Sequence, residues 1–216
     1  MDIAFFGSGG FGREVYWMLD AMNKTLPEEN QYRFIGFFDD DVPKGTQISR
    51  YGKVLGGMEE LNAWSSPLAV AVTIGNPKSV QGVVSRINNP NLCFPNIIHP
   101  SFQVLDPETL TIGKGNIITK DCYVTLDVTI GDFNILNGSV VFGHDVHVGN
   151  FNAFMPYVRI SGAVTVGDCN LFGLSSIVIQ QIKIGNNTTI GAGAVLMTKP
   201  KEGGVYLGNP AKLFKA

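Results

Sequence analysis

From Ile112 to Leu196 an apolar residue recurs every six positions without a miss: Ile112, Ile118, Val124, Ile130, Leu136, Phe142, Val148, Phe154, Ile160, Val166, Phe172, Val178, Ile184, Ile190 and Leu196. In a chain that is 44% hydrophobic, such a run arises by chance about once in a few hundred thousand tries per register. An amphipathic helix repeats at 3.6 residues and a half-buried strand at 2, so a step of six fits neither. It fits a parallel β-solenoid, in which each six-residue unit is a short strand plus a corner and three units close one coil. Two eighteen-residue columns agree. Gly113, Gly131, Gly149, Gly167 and Gly185 form one, as a corner that bends where a Cβ is unwelcome would require. Asn116, Asn134, Asn152 and Asn170, followed by Thr188, form the other, whose side chains can bond the copy on the next coil. The unbroken step leaves no room for a long loop, so a ligand of this half must lie on coil faces or between subunits.

The first hundred residues follow a different rhythm. Ile3 to Phe6 is a short apolar run, followed by Gly7-Ser8-Gly9-Gly10-Phe11-Gly12 and by a segment whose Val15, Met18, Leu19 and Met22 share one helical face. This reads as strand, glycine loop and helix, and the G-x-G-x-x-G spacing suits backbone N–H groups that approach phosphates at a helix N-terminus. A tight turn without a ligand is the plainer reading. Phe34 to Phe38 gives a second strand ending in Asp39-Asp40-Asp41, a position where a ribose hydroxyl is often bound and where an acidic turn is equally ordinary. A short helix from Gly56-Gly57 through Trp64, a strand from Leu68 to Ile74, a helix from Lys78 to Ile87 and a fourth strand from Leu92 to Ile98 follow. His99-Pro100-Ser101 marks the crossing into the solenoid. The alternation predicts a small parallel sheet of Rossmann type over residues 1–100, then the solenoid and a tail over 101–216. The first unit is too short for a two-halved dinucleotide fold, so a mononucleotide or nucleotide-sugar ligand is expected rather than a nicotinamide cofactor.

Composition narrows the classes of partner. With 16% charged residues and a net charge of −2, nothing points to nucleic acid or a membrane surface. Cys93, Cys122 and Cys169 lack CxxC pairing, which suits a reducing compartment. No basic leader follows Met1 and no apolar run reaches about 18 residues, so a soluble cytoplasmic protein is expected. Lys199, Lys201, Lys212 and Lys215 make the tail basic, either as a solvated surface or as a contact for a phosphate-bearing ligand.

Chemistry must come from residues the six-residue step does not explain. His144 and His147 bring neutral-pH acid–base capacity to a segment otherwise built from Val, Ile, Gly and Asn. His144 falls two residues after a column residue and should project from a corner, with Asp145 able to hold one ring nitrogen protonated. A plain surface histidine is the default for such a pair. One coil later stands Gly162, whose N–H can point to the same place, and a base beside an amide donor is what acyl transfer needs. A three-histidine metal site does not fit, because His144 and His147 are too close in sequence and His99 lies outside the array.

The glycine loop from Ile3 to Gly12, the Gly75-Asn76 turn, Ile98-His99-Pro100-Ser101, Asn137 with Gly143-His144-Asp145, the six-residue array and Gly208-Asn209-Pro210-Ala211-Lys212 together resemble the NeuD/PglD family of sugar O- or N-acetyltransferases over essentially the whole chain. The resemblance implies an α/β Rossmann-like domain followed by a left-handed parallel β-helix, assembled as a homotrimer with active sites between subunits. It implies acetyl-CoA as co-substrate, no metal, and N-acetylation of a nucleotide-linked amino sugar, expected to be a dideoxy sugar, for bacterial surface glycans such as lipopolysaccharide O-antigen or capsule. By matching position, His144 is the general base, Asp145 its partner and Gly162 the oxyanion donor. Gly9, Gly10, Phe11, Asp39, Asp40, Gly75 and Asn137 fall on the substrate side; Gly173, Leu174, Ala192, Gly193 and Lys199 fall on the acetyl-CoA side. Departures are Asp145 for the family's Glu, Phe11 where a histidine is frequent, and Ala153 where a second histidine touches acetyl-CoA. Alternatives are O-acetylation of a sialic acid-like sugar and a non-catalytic nucleotide-sugar-binding scaffold.

Overall fold

The computed structural model describes residues 1–215. The chain opens with β1 (Asp2–Phe6), α1 (Gly10–Asn23), β2 (Arg33–Phe38), β3 (Gln47–Ile48), β4 (Gly52–Gly56), α2 (Met58–Asn62), β5 (Leu68–Val72), α3 (Pro77–Arg86) and β6 (Leu92–Cys93). These strands form one sheet in the order β3-β4-β2-β1-β5-β6, parallel throughout except for the β3–β4 hairpin. Both central strands read as unbroken apolar runs because they are covered on both faces: Ile3, Ala4, Phe5, Leu68, Ala69 and Val70 have no exposure. The β3–β4 hairpin was not legible, since Thr46 to Gly57 mixes glycine and polar residues at a sheet edge where little is buried. The fourth strand expected over Leu92 to Ile98 divides in two. Leu92–Cys93 ends this sheet, and after Phe94-Pro95-Asn96 the pair Ile97–Ile98 already joins Ile117–Ile118 of the solenoid.

The second half is a left-handed parallel β-helix with three faces. Its first face carries the strands from Ile97–Ile98 through Thr189–Ile190 to Val205–Leu207, its second those from Gln103–Val104 to Val195–Leu196, and its third those from Thr111–Ile112 to Lys183–Ile184. Pairings step by eighteen residues, as in Ile117↔Ile135 and Ile135↔Ala153. The first coil is longer, with Ile97 opposite Ile117, and a 3-10 turn at Pro107–Thr109 takes up the excess. That excess is why the strict period begins at Ile112 although the coil begins earlier. The column fills the helix interior, with Phe142, Phe154 and Phe172 in contact at centroid separations of 4.9 and 4.6 Å. Burying each such ring contributes on the order of 2–3 kcal/mol.

Two side-chain ladders run up the corner between the third and first faces. In the inner one, Asn116 Oδ1 accepts from the Asn134 backbone N–H at 2.8 Å, Asn134 Oδ1 accepts from Asn152, Asn152 Oδ1 from Asn170, and Asn170 Oδ1 from Thr188. Asn96 extends this ladder downward by accepting from Asn116. The second ladder was not anticipated. Asp132, Asn150, Asp168 and Asn186 each accept from the backbone N–H one coil below, at Lys114, Asp132, Asn150 and Asp168. It also corrects the reason for the glycine column. The left-handed corner residues are mostly not glycine but Asp121, Asp127, Phe133 and their six-residue successors. The glycines are needed because a Cβ on Gly131 would lie 2.6 Å from Asn150 Oδ1, the side chain bonding the coil below.

The outward residues differ by face, and the difference positions everything else. On the first face Ile97, Ile117, Ile135 and Ala153 are buried in one cluster with the N-terminal unit. On the third face Thr111, Thr129, His147, Thr165 and Lys183 are mostly exposed and polar. The second face presents Tyr123, Val141, Arg159, Ile177 and Val195, largely apolar and not covered by the chain. Among the described residues, no helix is long and apolar enough to cross a membrane.

Candidate active site

The C-terminal ends of β1, β2 and β5 open into a cleft of about 820 Å³. Gly9, Gly10, Phe11, Asp39, Asp40 and Gly75, which the family resemblance places on the substrate side, all line it. A Cβ on Gly12 would lie 2.3 Å from Gly7 O, so helix and strand approach where only glycine fits, while Gly9 and Gly75 face open space. Thr73 Oγ1 donates to Gly7 O at 2.7 Å and holds the loop from behind. Asp39 is engaged with the same loop, its Oδ2 accepting from Ser8 N–H at 2.8 Å and from Ser8 Oγ at 2.6 Å. Asp40 accepts from Met58 N–H at 2.8 Å and from Arg86 at 2.7 Å. Burial pulls the Asp40 carboxyl upward, but these two donors outweigh it and hold it below the ordinary carboxylate range. Ser79 and Arg86 of α3 also line the cleft and were missed, since one serine and one arginine on a helix carry no sequence signal.

His144 stands at the corner between the second and third faces, following Val141–Phe142. Asp145, in the left-handed region at φ 56°, turns its carboxylate back so that Oδ2 meets His144 Nδ1 at 2.7 Å. The pair is well exposed, with side chains 62% and 56% accessible. That leaves Nε2 as the outward nitrogen. Gly162 lies one coil above, and a Cβ there would fall 2.5 Å from Nε2. The flanking amides are occupied, Ser161 N–H by Val178 O and Ala163 N–H by His144 O, whereas among the described residues nothing accepts from Gly162 N–H. His147 sits apart, in the outward column of the third face between Thr129 and Thr165.

The remaining residues occupy the corner between the first and second faces. Asn137 is on the coil of His144, and Gly173, Leu174, Ala192 and Gly193 lie two and three coils higher, with Gly193 N–H donating to Leu174 O at 2.8 Å. Half of Leu174 is exposed. Within one chain these residues are therefore separated from His144 by the width of the second face. Lys199 belongs to the His144 corner, three coils up, where with Lys183 and Lys201 it lines a second cleft of about 630 Å³. Ala153, where the family's second histidine is expected, is 1% exposed beneath the N-terminal unit, so its side chain belongs to the domain contact. Among the described residues no group of three His, Cys, Asp or Glu is placed to hold a metal ion.

Residues 2–87 match the model of the PglD N-terminal domain. The acetyltransferase domain of PglB from Neisseria gonorrhoeae, solved with acetyl coenzyme A, is 26% identical, with a TM-score of 0.85 over 99% of this chain and 98% of that one. PerB from Caulobacter crescentus, solved with CoA and GDP-perosamine, is 25% identical, with a TM-score of 0.85 over 99% and 97%. WeeI from Acinetobacter baumannii shares the fold at 24% identity, with a TM-score of 0.85 over 99% and 100%. Comparison with curated proteins gives no match. A PglD N-terminal domain over residues 2–87 followed by a left-handed β-helix is the arrangement of these acetyltransferases, whose fold the chain shares over its whole length.

Proposed function

We propose that this acetyltransferase uses acetyl-CoA to N-acetylate a nucleotide-linked amino sugar, with His144 as general base. The observation that carries the assignment is the stacking of Gly162 on His144. Asp145 fixes Nδ1 at 2.7 Å, Nε2 is the nitrogen left for a reacting group, and the glycine one coil above lets the ring lie against that coil, where a Cβ would fall 2.5 Å from Nε2. The sugar amine attacks the thioester carbonyl, His144 Nε2 takes the proton as the new C–N bond forms, and Gly162 N–H bonds the oxygen of the tetrahedral intermediate. Collapse expels the CoA thiolate, which His144 reprotonates. The Rossmann cleft holds the nucleotide end, with the N-termini of α1 and α3 toward its phosphates. PerB, crystallised with CoA and GDP-perosamine, supports this substrate class over a simple O-acetyl acceptor.

The working unit is a homotrimer. The apolar second face needs a cover, and burying it against a neighbour brings that neighbour's Leu174–Ala192 corner toward His144, which one chain cannot do. Acetyl-CoA then runs up the groove from His144 to the Lys183, Lys199 and Lys201 cleft, whose ammonium groups suit its phosphates. Acetyl-CoA and sugar nucleotides are cytoplasmic, and three free thiols suit that compartment, where the product would enter surface-glycan assembly.

The test is thiol release from acetyl-CoA with a panel of uridine, thymidine and guanosine diphosphate amino sugars, comparing wild type with His144→Ala. Wild type should turn over at least one of them and the variant should lose at least 10²-fold in kcat. Equal rates in the two proteins would refute the base assignment.

A further inference from the structure

His99 is left unused by this mechanism, and its surroundings define its chemistry closely. It begins the corner between the first and second faces on the lowest coil, directly below Thr119 and Asn137. Its Nδ1 lies 3.1 Å from Ser101 N and 2.8 Å from Ser101 Oγ. A backbone N–H can only donate, so Nδ1 is an acceptor. Ser101 Oγ accepts in turn from Asp121 N–H at 2.8 Å, which leaves its hydroxyl proton for Nδ1. Two donors on Nδ1 put the proton of the neutral ring on Nε2. Among the described residues, nothing accepts from that Nε2–H.

The same logic repeats two coils up. Gly138 N–H donates to Thr119 Oγ1, whose hydroxyl is then directed at Asn137 Oδ1, so that the Asn137 amide nitrogen faces outward. The corner thus carries two oriented N–H donors, separated by two strand spacings, roughly 10 Å. Above Asn137 the column becomes Met155, Gly173 and Gly191, which offer no side-chain donor. α1, whose Gly10 and Phe11 line the cleft, packs against Ile97–Ile98, the strand that runs into His99, so this corner adjoins the element that bounds the cleft.

We propose that His99 is a substrate-binding residue whose Nε2–H donates to an oxygen of the nucleotide-linked sugar as it passes from the cleft to His144. The proposal rests on the function argued above and adds a contact on the lowest coil, outside both the glycine loop and the reacting pair. The span between His99 and Asn137 suits a sugar diphosphate, whose oxygens need side-chain donors, whereas the glycines of the upper corner leave backbone groups open to the amides of a pantetheine arm.

The decisive variants are His99→Asn and His99→Gln. Asparagine Oδ1 replaces Nδ1 as acceptor for Ser101 N–H but removes the outward donor; glutamine Nε2 reaches outward but gives up the turn. For His99→Asn, KM for the nucleotide amino sugar should rise about tenfold, with KM for acetyl-CoA and the melting temperature unchanged. His99→Gln should recover most of that affinity while melting lower. Binding of the nucleoside diphosphate alone, by calorimetry, locates the contact: an equal loss means a phosphate oxygen, no loss a sugar hydroxyl, and either supports the proposal. An unchanged sugar KM in His99→Asn, with wild type active, would overturn it and leave the function standing. A wild-type protein that binds and acetylates no nucleotide amino sugar would overturn both.

Discussion

Gly162→Ala separates the geometry of the base from the stability of its scaffold. The added Cβ would fall 2.5 Å from His144 Nε2, 2.6 Å from Cε1 and 3.0 Å from Cδ2. Ordinary contact needs about 3.5 Å, so the ring must retreat by roughly 1 Å. Folding should hardly notice, because the ring is 62% exposed and free to swing outward, and Gly162 is not in the left-handed region. Catalysis should notice strongly. A misplacement of about 1 Å in a reacting group costs on the order of 10²-fold, or about 2.7 kcal/mol in the barrier. The expected result is a fall of about 10² in kcat for thiol release, with KM for both substrates within about threefold and a melting temperature within about 2 °C of wild type. A Gly162→Ala protein that keeps kcat within about threefold would show that the reaction does not pass between these two residues.

The ladders and the thiols give two further predictions. Asn134→Ala removes the acceptor for the Asn152 backbone N–H and Nδ2, at 2.9 and 3.0 Å, and strands both in the interior. It should cost about 3 kcal/mol, against about 1 kcal/mol for Thr188→Ala at the ladder's end, and denaturant melts that rank the two equally would refute the ladder's weight. Of the three cysteines only Cys93 is exposed; burial pushes the Cys122 thiol up to about 11 and raises Cys169 as well. Ellman's reagent at pH 8 should therefore titrate one thiol in the native protein and three after denaturation. Three fast equivalents in the native state would contradict the packing of Cys122 and Cys169.

The parts of the molecule that could be read from sequence are those in which one constraint repeats. The column from Ile112 to Leu196 is legible because each residue meets the same interior, and Asn116 to Asn170 because each amide meets the next. The second ladder was hidden because it alternates Asp132, Asn150, Asp168 and Asn186, two residue types with one shared acceptor oxygen. The hairpin β3–β4 and the first coil were hidden because each is a single instance, with an edge strand in one case and a two-residue excess in the other. Gly9, Asp39 and Asp40 could be named because a glycine loop after one strand and acidic residues at the end of the next mark a nucleotide site, and Gly10, Phe11 and Gly75 through the family resemblance, whereas Arg86 reaches Asp40 only through the packing of α3.

The polarity of the two corners then orders the substrates along the helix axis. On the proposed reading the lower coils, with His99, Thr119 and Asn137, present donors and adjoin the cleft, so the polar nucleotide sugar enters from that end. The upper coils present Gly173, Leu174 and Ala192 on one corner and Lys199 on the other, so on the same reading a slender arm ending in phosphates enters from the opposite end. On this reading the two paths meet at the coil of His144, where a base, an unpaired amide N–H above it and a donor on the facing corner coincide. A single chain holds the base and that donor on opposite edges of its second face. The same apolar face that calls for a neighbour therefore sets the place where the amine and the thioester can meet.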